Sequence, residues 1–153
     1  METSKMFNGK EIYELITKTA KDEAVKAITS SDKEIKTQVR RFYQEYVTIM
    51  SGIDILDNTG FLIKVKMLIP KAEYSKARVM ENNSGKASSY YSWLIDNLKA
   101  INDKNDAKNF MLYYEAFIGF LYSELNNPKP NSNRNQNNST YNSNNRNNTY
   151  TRK

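Results

Sequence analysis

The chain has no cysteine and no histidine among its 153 residues. The first absence excludes disulfides and thiolate metal sites, and the second removes imidazole ligands and the commonest general base. Carboxylates, lysines, hydroxyls and phenols are the reactive groups that remain. Long apolar runs are missing as well, with nothing near the roughly 18 consecutive residues that would span a bilayer. The N-terminal segment METSKMFNGKEIYELITK interrupts every apolar pair with a polar or charged residue, so it lacks the apolar centre of a secretory signal. These absences lead to the expectation of a soluble, cytoplasmic protein of one ordinary-sized domain, with no membrane partner.

Charge is present, but unevenly. The whole chain has 23 basic and 17 acidic residues, a formal +6 with a pI near 9.3. Five of the basic residues (Lys129, Arg134, Arg146, Arg152 and Lys153) fall after Leu125, with no acid among them, which leaves 18 basic against 17 acidic before that point. The pI is therefore mostly a property of the C-terminal tract, and any basic function of the folded part must rest on local clustering. From Asn126 onward the sequence NNPKPNSNRNQNNSTYNSNNRNNTYTRK exchanges apolar periodicity for asparagine, serine and proline. Such a composition cannot offset the entropy of ordering, so residues 126–153 are expected to be a disordered Asn-rich basic tail and residues 1–125 the folded domain. The N-x-Ser/Thr triplets at Asn137, Asn138 and Asn147 are what an Asn-rich tract generates by chance.

Before the tail the periodicity is helical almost throughout, with loops marked at Gly52 to Asn58, Asn82 to Gly85 and Asn102 to Asn105. Lys10 to Ile28 is weakly amphipathic, interrupted at Lys18 to Glu23, and reads as one helix or two. Ser31 and Glu34 have capping-box spacing ahead of the stripe Ile35, Val39, Phe42, Tyr46 and Ile49. Thr59 to Met80 forms a third segment, in which Pro70 predicts a kink or break near Lys66 to Ile69. Ser84 to Asn102 and Asp106 to Leu125 complete the set. No segment alternates like a half-buried strand, so the expected fold is an all-α bundle of about five helices.

Within that frame Phe61 to Arg78 places Lys64, Lys66, Lys71, Lys76 and Arg78 against a single acid, Glu73. Lys71 and Arg78 are two helical turns apart, about 10 Å along the axis, a separation that could bridge neighbouring phosphates. Arg40 and Arg41 are about 100° apart on their helix, so at least one faces outward, where its guanidinium fork could clamp a phosphate or pair with Glu45. Most of the tyrosines read as core residues with the phenol reaching outward. Tyr74 is the exception, standing inside the basic segment where a base could stack. A solvated helix face is the plain alternative for the whole run. Asp54 and Asp57 could hold a metal, but a polar interhelical loop explains the pair with less, and the residues argue for a noncatalytic protein with no metal or cofactor.

Three strings carry a resemblance: QVRRFYQEY, LIPKAEYSKAR and FMLYYEAFIGFLYSEL. Within them Arg41-Phe42-Tyr43, the Lys71-x-x-Tyr74-x-x-x-Arg78 pattern and Tyr114-Glu115-Ala116-Phe117 resemble the small helical subunit of the type III-A CRISPR effector, the Csm complex. The similarity runs from about Ile35 to Leu125, leaving the first thirty or so residues and the tail outside it. The resemblance implies a noncatalytic subunit that stacks in several copies beside the backbone and large Csm subunits and contacts guide RNA and target RNA. Arg41, Lys71 and Arg78 are the contacts it implies, while Arg40, Lys64, Lys66, Tyr74 and Lys76 come from charge, spacing or ring chemistry. A helical scaffold or self-assembly module that never touches RNA is the other reading of the same stripe.

Overall fold

The structure is a computed structural model that describes residues 7–29, 35–83 and 88–127. Its elements are α1 (Ile12–Glu14), a π-helical turn (Leu15–Thr19), α2 (Ala20–Thr29), α3 (Ile35–Met50), α4 (Asn58–Lys66), α5 (Leu68–Asn83), α6 (Ser88–Ala100) and α7 (Lys104–Asn126). The fold is all-α, as its periodicity predicts. No described helix is long and apolar enough to cross a membrane. The expected tail lies outside the described residues from 128 onward, as does the Ser31/Glu34 capping pair.

The core forms around α7, whose Ala107, Phe110, Tyr114, Phe117 and Leu121 are fully buried at helical spacing. Against it lies α2, which offers Ala20, Ala24 and Ala27, small buried residues that let the two helices approach closely. The π turn just before α2 overlaps the start of the polar interruption at Lys18 to Glu23 and joins α1 to α2 as one continuous helical run. α3 packs on α7, with Tyr43 against Tyr114 and Tyr46 against Phe110, while Phe42 meets Tyr91 of α6, which fills the interior with Tyr90, Tyr91, Trp93 and Leu94. The Trp93 and Phe117 rings stack at 4.0 Å.

The core tyrosines differ from expectation in where their phenols point. Tyr46 donates to the Ala107 carbonyl at 2.7 Å, Tyr90 and Tyr114 hydrogen-bond each other, and Trp93 Nε1 donates to the Tyr113 hydroxyl at 2.9 Å. The phenols stay inside because each finds a partner there, which removes the cost of burying an unpaired hydroxyl. Burial pushes the Tyr46, Tyr90 and Tyr114 phenols well up from their ordinary range, and that of Tyr113 up to about 12.

Ends and breaks follow local chemistry. Asp103 caps α7 by accepting from the Asp106 N–H at 2.8 Å, while the Asp106 carboxylate reaches back to the Asn102 N–H at 2.9 Å, starting the helix ahead of the expected Asp106. The break foreseen from Pro70 falls at Met67, so that proline occupies the first turn of α5, where its missing N–H is tolerated. Asp57 caps α4 by accepting from the Gly60 N–H at 2.9 Å. A Cβ at Gly60 would sit 2.6 Å from that capping oxygen, so a larger residue there would displace the Asp57 cap. At the other end of the chain Asn8 (φ 52°) and Gly9 (φ 76°) form a tight turn closed by Lys10 N–H to the Phe7 carbonyl at 3.1 Å. The turn places Phe7, 1% exposed, against Phe110.

Candidate nucleic-acid interface

Because α3 buries Ile35, Val39, Phe42 and Tyr46, its opposite side carries Arg40, Arg41 and Gln44, with both arginines exposed. α5 likewise buries Leu68 and Ala72 and leaves Lys71 and Tyr74 exposed, with Arg78 further along the same helix. The two helices meet at Glu45. Its Oε2 lies 2.8 Å from Lys71 Nζ and its Oε1 lies 3.5 Å from Arg41 Nε. One carboxylate thus gathers two cations that are far apart in sequence into a single cluster, in which both cations are exposed and Glu45 is partly buried.

Two turns beyond Lys71, the Arg78 guanidinium lies over the Tyr74 ring, 5.8 Å from its centroid. Tyr74 is 65% exposed, unlike the aromatics of the core, so its ring is open to a stacking partner. Lys76 is partly buried on the same helix. Lys64 is exposed and, with Lys71 and Glu45, borders a groove of about 350 Å³ floored by Ile49, Ile63, Met67 and Leu68.

Lys66 departs from its expected role. Its ammonium donates to the Leu98 carbonyl at 2.7 Å and the Lys99 carbonyl at 2.8 Å, closing the C-terminal end of α6. Those carbonyls are the unsatisfied acceptors at the negative end of a helix, a favourable place for a cation. Partial burial there pulls the Lys66 amine below its ordinary range, with the Asp106 carboxylate opposing. Charge and spacing singled out Lys66, but the break at Met67 swings it away from Lys71 and toward α6.

A second cationic surface joins Arg40 and Arg41, candidates from the sequence, to Lys36 and Tyr122, which the sequence reading did not single out. Lys36, Arg40 and Arg41 of α3 face Tyr122 of α7 across an open trough of about 390 Å³ that also touches Thr37 and Gln44. The Lys36 ammonium stands 5.4 Å from the Tyr122 ring centroid and 3.5 Å from the Asn126 side-chain oxygen. The i, i+4 spacing of Lys36 and Arg40 was available as a signal. The approach of Tyr122 was not, since it depends on how α7 lies beside α3.

Fold and surface together define a small all-α protein with exposed cations on two helices, α3 and α5, that the Glu45–Lys71 ion pair joins. A family model described as Csm2 Type III-A matches residues 10–123, and the chain belongs to that family, the small subunit of the type III-A CRISPR Csm complex. The match begins at Lys10, so α1 and α2 belong to the family region, in contrast to the expected start near Ile35. Neither the search of curated proteins nor that of solved structures found a match to the chain.

Proposed function

We propose that this small subunit is noncatalytic and binds the backbone of guide and target RNA through the surface built by Arg41, Lys71, Tyr74 and Arg78, with Lys64, Lys76 and Arg40 at its margins. The observation that carries the reading is the convergence of Arg41 of α3 and Lys71 of α5 on one carboxylate, 3.5 and 2.8 Å away. A site that holds one anionic group between two cations has the charge and spacing to receive a phosphate oxygen in its place. Tyr74 and Arg78 extend the surface two turns along α5 and supply a ring and a second guanidinium.

Each subunit meets few phosphates, about three. On single-stranded RNA that gives a salt slope of only about −2, so one copy alone binds weakly. Several copies stacked along one RNA restore affinity through effective concentration. The groove over Ile49, Ile63, Met67 and Leu68 favours a protein contact beside the RNA surface, because Ile63 and Met67 are 58% and 57% exposed. Cytoplasmic residence and membership alongside the backbone and large Csm subunits complete the proposal, and the tract after α7, expected from residue 126, remains proposed as a separate basic tail.

The test is charge reversal in the assembled complex. Lys71→Glu with Arg78→Glu is expected to leave co-purification with the other Csm subunits intact and to weaken target-RNA capture at least tenfold. Intact assembly with undiminished capture would overturn the RNA reading in favour of a scaffold.

A further inference from the structure

We infer that the trough between α3 and α7 is a nucleotide subsite for single-stranded RNA, in which Tyr122 stacks a base while Arg40 and Lys36 hold the adjoining phosphate. The inference rests on the RNA-binding reading above and extends it to a part of the surface outside the Lys71 cluster. Among the described residues its lining has three cations, Lys36, Arg40 and Arg41, two neutral polar residues, and no carboxylate. Among the described residues neither Lys36 nor Arg40 has an acid at ion-pair distance, whereas Arg41 leans on Glu45. Arg40 is exposed, so its fork is free to meet an anion.

The trough's volume of about 390 Å³ lies at the lower end of the range typical of small-ligand clefts, about 300 to 1,000 Å³, which suits one nucleotide. Tyr122 is partly buried, anchored by α7 with its ring lining the trough. Lys36 is held over that ring by a cation–π contact and a 3.5 Å hydrogen bond to Asn126, both weak in solvent. An incoming phosphate draws the ammonium aside at little cost and opens the ring face to the base. Arg41 borders both the trough and the Glu45 cluster, so a strand crossing Lys71 and Arg41 reaches Tyr122 without leaving cationic surface. Stacking on an aromatic ring tolerates any base, so the subsite adds affinity without sequence preference.

Photocrosslinking in the assembled complex tests this, with target RNA carrying single 5-iodouridine substitutions at successive positions and adducts mapped by mass spectrometry. Irradiation joins 5-iodouridine to an aromatic ring stacked on it, so an adduct on Tyr122 is expected. Tyr122→Phe should keep the adduct, and Lys36→Glu, a change confined to the trough, should reduce it at least tenfold while sparing adducts on the Tyr74 segment. Tyr122→Ala should weaken RNA binding about tenfold with the thermal midpoint of the complex recorded alongside. Adducts on the Tyr74 segment with none at position 122 would overturn the subsite and leave the RNA reading standing. Absence of adducts anywhere on this subunit would overturn both.

Discussion

Lys71 Nζ lies 2.8 Å from Glu45 Oε2, an ion pair that joins α5 to α3 across 26 residues of sequence. The other oxygen of the same carboxylate faces Arg41 at 3.5 Å, so Glu45 stands between two cations, where the proposed function would put a phosphate. Glu45→Gln removes the competing charge while keeping the shape. It is expected to raise target-RNA affinity of the assembled complex several-fold. Because the two cations are more than half exposed, chain stability should change by less than about 1 kcal/mol. Filter binding and urea denaturation measure the two effects, and a fall in affinity would mean that Glu45 positions the cations instead of competing for them.

Phe117 is fully buried and stacked on Trp93 at 4.0 Å, at the centre of the aromatic cluster. Phe117→Ala should cost about 3 to 5 kcal/mol in a urea titration of the chain. A loss below about 1 kcal/mol would mean that α7 is not the centre of the core.

Lys66 provides the counterpart to the surface lysines. Replacing it with Ala leaves the Leu98 and Lys99 carbonyls without their donor and should cost about 1.5 to 3 kcal/mol. Target-RNA binding by the assembled complex should be unaffected. Reduced RNA affinity at full stability would return Lys66 to the phosphate-binding surface.

The alkaline limb of stability follows from the buried phenols. Tyr46, Tyr90 and Tyr114 have folded-state pKa values raised above the ordinary 10.0, chiefly by burial. Above pH 10 the unfolded chain releases these protons and the folded chain does not, so the unfolded state binds fewer protons and stability falls as pH rises. Below the ordinary value both states keep the protons and the phenols contribute no slope. Thermal melts from about pH 9 to about pH 12 should show a declining midpoint, with part of the tyrosinate absorbance appearing only on unfolding. Full tyrosinate absorbance in the folded state would contradict the buried hydroxyl network.

The parts of the fold legible in the sequence are those where one helix carries its own signal. The α3 and α7 stripes follow from 3.6-residue periodicity, and the break before α5 follows from Pro70. What escaped depends on elements meeting in space. The bridge from Glu45 to Lys71 and the turn of Lys66 toward α6 span 26 and 32 residues, distances over which spacing carries no information. Phe7 lies in a segment without helical periodicity, and only the Asn8-Gly9 turn and its docking on Phe110 bury it. Arg41, Lys71 and Arg78 were visible through charge and family pattern, whereas the trough at Tyr122 required knowing that α7 runs beside Arg40.

The salt dependence of target-RNA binding tests the central claim most directly. Dissociation constants of the assembled complex, measured across a salt series with the natural subunit and with Lys71→Glu and Arg78→Glu, give the number of phosphates neutralised from the slope of log K against log salt. For every phosphate that a subunit copy ceases to neutralise, the slope is predicted to become shallower by about 0.7, with weaker binding at every salt concentration. Identical slopes and affinities for the two complexes would contradict the assignment of Lys71 and Arg78 to the RNA backbone.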